Sequence, residues 1–148
     1  MTRDRDTTGR PDAGGDETLS EAFRSVARQL RDTSQETLAP WDITPSHLRA
    51  LRVLMYHGVM RLSELSDHLH IAARSATEVV DALETRGLVE RRADPDDRRA
   101  TLVELTEHGA SVFDAIRALR GTEAERAFGR LSEADRVHLA RILRKLRD

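Results

Sequence analysis

The chain has no cysteine, which excludes disulfides, thiolate zinc centres and cysteine-based redox sensing. It has one lysine, Lys145, so nearly all its positive charge is arginine. Arginine favours bidentate contacts to phosphate and guanine, although a GC-rich genome produces the same bias and takes the larger share of the explanation. There is no excess of positive charge either. The 24 Lys and Arg stand against 26 Asp and Glu, for a formal net charge of −2, so bulk charge gives no support to a nucleic-acid partner. No apolar run approaches a membrane span, and Met1-Thr-Arg-Asp lacks the apolar stretch of a secretory signal. The expected compartment is the cytoplasm, with no membrane partner.

Catalytic signatures are missing as well. The sequence holds no GxSxG, no HExxH and no glycine-rich phosphate loop. Ser63, Asp67 and His68 are neighbours on one short predicted helix and cannot converge as a triad. An enzyme is not expected, nor a cofactor. The six histidines are poorly spaced for metal: His68 and His70 point to different sides of a helix, and no pair stands at i, i+3 or i+4. His47 and His108 could meet only through tertiary folding, so no metal site is expected.

What is present is concentrated between Arg61 and Thr106. Ala76, Val79, Val80 and Leu83 recur at i, i+3, i+4 and i+7, the apolar stripe of a helix. Its other face presents Arg74, Ser75, Thr77, Glu78 and Asp81, led in by Ala72 and Ala73. Small and polar residues at a helix N-terminus let its amides and positive dipole approach phosphate. The preceding Leu62 to Leu69 has Ser63 as the expected N-cap, Glu64 in the first turn, and Leu65 and Leu69 one turn apart on the buried side. Joined by His70 and Ile71, the two helices match a helix-turn-helix, whose second member reads the major groove. Gly87 suits a left-handed helix stop. Leu88 to Arg92 and Thr101 to Thr106 have strand composition, and Ala93 to Ala100 forms the hairpin loop, too long for a tight turn. Asp97, Arg98 and Arg99 sit at its tip. Two projecting arginines suit a narrow minor groove, with Asp97 holding Arg99 through a bidentate pair. By itself such a loop would be a solvated charged turn; its position just after two helices favours DNA.

The order helix, helix, GLVER, DPDDRRA, VELTEHG resembles the MarR (multiple antibiotic resistance regulator) family of winged-helix transcription factors, and ITPSHLRALRVL is similar to the helix which that family places before its reading head. The likeness spans about Thr18 to the C-terminus and is most specific over Leu62 to Gly109. It implies a mainly α fold with a small β-hairpin wing, a winged helix-turn-helix carried on interlocking N- and C-terminal dimerisation helices. It further implies a homodimer that binds double-stranded DNA as a repressor and answers to a small aromatic or phenolic effector. Carried over by position, Arg99 is the wing arginine, with Arg98 beside it and Asp97 orienting it, and the base-reading surface is Ala73, Arg74, Ser75, Thr77 and Glu78. Arg61, Ser63 and Arg91 complete the expected DNA contacts. Some relatives sense peroxides through a cysteine, which this chain cannot do.

The remaining segments supply the frame. Residues 1–17, rich in glycine and mixed charge, are expected to be a disordered arm. Residues 18–44 and 107–148 are the dimerisation helices, and 45–106 the DNA-binding domain. Leu19, Ala22, Phe23, Val26, Ala27 and Leu30 hold a stripe on a helix running to about Leu38, which Pro40 ends. Thr44 and Pro45 start the next helix as cap and first-turn proline. Thr106 caps a long helix weakened by Gly121 and Gly129, and Ser132 opens the last. The terminal stripes must bury against something, either within one subunit or against a twofold partner; a partner would imply a near-palindromic operator. The crevice where the frame meets the reader offers Phe23, Trp41, His47, Leu51, Tyr56 and Phe113 as effector candidates, each with a core or surface role as its simpler explanation. A winged helix that binds another protein instead of DNA is the competing reading.

Overall fold

The computed structural model describes residues 17–147, so the expected arm lies outside the described residues except for Glu17. Among the described residues six helices and three short strands follow one another: α1 (Leu19–Leu38), a 3₁₀ turn (Ala39–Trp41), α2 (Pro45–His57), β1 (Met60–Arg61), α3 (Leu62–Leu69), α4 (Ala73–Thr85), β2 (Val89–Asp94), β3 (Asp97–Leu105), α5 (Glu107–Phe128) and α6 (Glu133–Lys145). The mainly α winged helix-turn-helix expected from the sequence is the fold observed. No helix among the described residues is long and apolar enough to cross a membrane.

Helix starts follow their capping residues. Thr18 Oγ1 accepts the Glu21 amide at 3.2 Å while Glu21 Oε2 accepts the Thr18 amide at 2.8 Å, a reciprocal box that satisfies two otherwise orphaned donors. Thr44 does the same with His47, whose Nδ1 accepts the Thr44 amide at 3.1 Å. Thr106 and Ser132 accept the amides of Gly109 and Asp135. At α3 the expected cap is corrected. Arg61, not Ser63, is the N-cap residue, and Glu64 Oε2 reaches back to its amide at 2.8 Å. The helix begins earlier because β1 runs straight into it, leaving Ser63 inside the first turn.

The wing differs from the expected two-stranded hairpin in two respects. A third strand, β1, pairs antiparallel with β3 (Met60 with Val103, Arg61 with Leu102), giving the order β1-β3-β2. The Ala93–Ala100 loop is also not long: β2 extends to Asp94, β3 starts at Asp97, and only Pro95 and Asp96 turn between them. Asp94 makes the turn tight, since its Oδ1 accepts the Asp96 amide at 2.9 Å. Register is regular from Val89/Leu105 to Ala93/Thr101 and then shifts so that Asp94 faces Asp97. Arg98, Arg99 and Ala100 therefore lie on a bulge without β2 partners.

The core lies where α2, α3, α4 and α5 meet the sheet. Leu51, Leu65, Val80, Leu83, Val103 and Ile116 are fully buried there. The α4 stripe is buried as its spacing requires, and Gly87 at φ +70° ends that helix in a Schellman turn, with Leu88 N bonded to Leu83 O and Gly87 N to Glu84 O. By contrast α6 buries nothing and α1 only Thr37 and Leu38. Leu19, Phe23, Val26, Ile142, Leu143 and Leu146 are left exposed. α5 continues unbroken through Gly121 and ends at Gly129.

Candidate nucleic-acid interface

α3 turns into α4 through His70, whose φ of +52° reverses the chain, and Arg49 on α2 donates to the Leu69 carbonyl at 2.8 Å, closing the end of α3. Ala72 precedes α4 and offers no side-chain cap. The first amides of α4 are thus left for solvent or a ligand, at the positive end of the helix dipole. On its outer face Arg74 and Glu78 form a loose pair at 3.6 Å with side chains 92% and 70% exposed, a geometry that holds neither in place. Thr77 Oγ1 donates to the Ala73 carbonyl at 3.0 Å, and Ser75 is exposed.

Arginines at the reader fall into two groups. Arg91 on β2 is engaged: its guanidinium meets Asp81 at 2.5 Å, Glu84 at 3.1 Å and the Thr77 carbonyl at 3.4 Å, and its own amide donates to Glu84 at 3.0 Å. This ties the base of the wing to α4. Arg61 Nε donates to Asp94 Oδ2 at 2.7 Å, and Arg86 joins the end of α4 to Asp42 at 2.9 Å. Asp94 is buried. The Asp96 amide, with Arg61 beside it, holds its carboxyl below the ordinary carboxylate range against the opposing effect of burial. Arg98 and Arg99 form the second group: both are exposed, and neither joins an ion pair among the described residues. The bidentate pair expected between Asp97 and Arg99 does not form. Asp97 Oδ1 instead accepts the Arg99 backbone amide at 3.0 Å, because the bulge points that amide at it and leaves the guanidinium outside. Ser63 is exposed on the first turn of α3.

Between α2 and α5 lies a cleft of about 310 Å³ lined by Leu48, Arg52, Tyr56, Phe113, Ile116, Arg117 and Arg120. Of the six effector candidates it brings together Tyr56 and Phe113, whose rings meet edge to face at 6.3 Å. Leu51 is in the core, Trp41 packs against the core, and Phe23 is exposed on α1. His47 is the α2 capping partner. Burial pushes its pKa down, helped by Arg86 and opposed by Asp42. The three cleft arginines were missed because isolated arginines read as surface; Arg117 and Arg120, one turn apart on α5, were the available signal. Arg120 Nη2 reaches the Ser34 carbonyl at 3.5 Å, and its buried Nε has no partner among the described residues. His57 and His68, distant in sequence, stack at 4.5 Å. No cluster of three or more metal-ligating side chains occurs among the described residues.

Comparison with known proteins points one way. The sequence profile of the MarR family matches residues 43–101. The HTH-type transcriptional repressor NicR of Pseudomonas putida is 33% identical over 132 residues, covering 89% of this chain and 84% of NicR. Among solved structures, YusO of Bacillus subtilis matches with a TM-score of 0.81 at 25% identity, over 86% of this chain and 91% of YusO. A mutant of Escherichia coli MarR complexed with operator DNA matches at 0.67 and 26%, over 86% of this chain and 92% of that one. Bordetella bronchiseptica BpsR, whose DNA binding is regulated by 6-hydroxynicotinic acid, matches at 0.66 and 26%, over 89% of this chain and 94% of BpsR.

Proposed function

This chain belongs to the MarR family of transcription regulators, and we propose that it is a homodimeric repressor whose two winged helices occupy a near-palindromic operator until a small effector alters their spacing. Members of this family regulate transcription and are not enzymes, and a mutant of E. coli MarR has been seen on operator DNA. The observation that carries the reading is the wing: Arg98 and Arg99 stand outside any ion pair of the described residues, on a bulge beside a recognition helix that starts without a side-chain cap. Ala73, Arg74, Ser75, Thr77 and Glu78 face the major groove, and the two wing arginines the flanking minor groove. A chain of net charge −2 can do this because Arg98 and Arg99 stand outside any ion pair of the described residues, while the nearby Asp81, Glu84 and Asp94 are each paired with another arginine.

Dimerisation through 18–44 and 107–148 is supported by the apolar side chains of α1 and α6 that one chain leaves in water. A twofold partner covers such faces without new chemistry. The cleft beside Tyr56 and Phe113 is the effector site of this reading, where the reader (45–106) meets the dimer helices, and its two rings suit an aromatic ligand. The protein acts on DNA in the cytoplasm.

Light scattering with an Ile142→Glu, Leu146→Glu variant tests the assembly. A wild-type dimer, with a folded variant that is monomeric and has lost operator affinity, is the expected result. A wild-type monomer that still binds one half-site would overturn the dimeric reading.

A further inference from the structure

Asp94 is the last residue of β2, and its side chain is 6% exposed. Its two oxygens serve two parts of the molecule. Oδ1 accepts the Asp96 amide and folds the wing turn, while Oδ2 accepts Arg61 Nε from across the sheet. Arg61 is itself fixed twice. It ends β1, paired with Leu102, and its amide is held by Glu64 at the start of α3. One carboxylate therefore connects the wing turn, the edge strand and the helix-turn-helix. The connection falls where the ladder fails, since Arg98, Arg99 and Ala100 have no β2 partners. A hairpin tip joined to its ladder across a bulge, by the single pair Asp94–Asp97, depends on side-chain contacts for its direction. A charge-assisted bond to a buried carboxylate is the strongest kind available there.

We propose that Arg61 is a positioning residue for the wing: through Asp94 it sets the direction in which Arg98 and Arg99 reach the DNA, and it does not itself contact the duplex. The inference rests on the reading above in which the wing enters a groove. Arg91 braces the base of the wing through Asp81 and Glu84 on α4, which leaves the Arg61–Asp94 pair to act at the tip.

The test is a double-mutant cycle on the full chain, using Arg61→Gln, Asp94→Asn and both together. Binding is measured to duplexes that share the same inverted-repeat half-sites but have A·T-rich or G·C-rich flanks. Asp94→Asn keeps an oxygen for the Asp96 amide, so the turn survives. Each single variant is expected to lose about three- to tenfold in affinity, and the double variant no more than either single. Preference between flanks falls in all three, half-site preference is kept, and Arg61→Lys recovers most of the loss because it restores a cation to Asp94. Losses that multiply in the double variant would mean that Arg61 meets DNA independently, overturning the brace. Unchanged affinity in both singles would overturn it too. Arg99→Ala is run alongside. If it leaves affinity unchanged the wing reading itself fails, whereas a loss there combined with an additive cycle rejects the brace alone.

Discussion

Two glycines on α5 give opposite predictions for the same substitution. Gly109 lies in the first turn, where α5 passes over the start of β2. A Cβ built there collides with the Leu88 carbonyl oxygen and falls 2.8 Å from its carbon and 2.9 Å from Leu105 Cδ1. That oxygen already accepts the Thr106 amide at 3.1 Å. A carbon needs about 3.3 Å from a carbonyl oxygen, so the helix start must retreat by more than about 1 Å and give up the Thr106 bond. Overpacking costs about 1–3 kcal/mol and the lost hydrogen bond about 0.5–1.5 kcal/mol, so Gly109→Ala is expected to destabilise by about 2–4 kcal/mol. For a chain of this size that lowers Tm by about 5–15 °C. Gly121, mid-helix, has nothing within 4 Å of a built Cβ. There the better helix propensity of alanine adds about 0.8–1 kcal/mol, raising Tm by about 2–4 °C. Thermal melts followed by circular dichroism at one fixed protein concentration measure both, the concentration being held because self-association would make Tm depend on it. A Gly109→Ala melt within about 2 °C of wild type would refute the close approach, and with it the rigid seating of α5 on the reader.

Arg99→Ala should weaken operator binding by about 1–3 kcal/mol in titrations at matched salt if the side chain reads base edges or groove shape; unchanged affinity would remove the wing from recognition. Arg74→Ala should lower the slope of log affinity against log salt by about 0.9 if it neutralises one phosphate, and a wild-type slope would reject that assignment. His47 should make stability pH-dependent. Its folded pKa lies below the ordinary imidazole value, so its contribution is whole above that value and is lost as pH falls toward the depressed one. Protonation also removes the Nδ1 acceptor from the Thr44 amide. Melts across this range should show wild type losing more than His47→Gln; parallel curves would refute the coupling.

The sequence revealed features that depend on neighbours along the chain. The α4 stripe, the Thr44–Pro45 start, the Thr106 and Ser132 caps and the Gly87 stop are local signals, and each is found where its spacing put it. Contacts between distant segments were hidden. The tight wing turn depends on a buried Asp94 whose second oxygen is taken by a residue 33 positions away. β1 is two residues long, too short for any alternation to register, yet it moves the α3 cap from Ser63 to Arg61. Arg61 and Arg91 carried the same sequence signal as Arg98 and Arg99. Only folding separates the engaged pair from Arg98 and Arg99, which join no ion pair among the described residues, because the carboxylates that engage Arg61 and Arg91 come from α4 and from the end of β2. The cleft follows the same rule: Tyr56 and Phe113 were legible as aromatics, while Arg52, Arg117 and Arg120 gain significance only once α2 lies against α5.

The most direct test of a dimeric DNA reader is selection of bound duplexes from a random DNA library by the purified protein, followed by sequencing. An inverted repeat with half-sites about one helical turn apart, and a flank preference at the wing positions, is the expected result. No enrichment, with weak binding that varies only with salt, would contradict it and leave a winged helix that serves a protein partner.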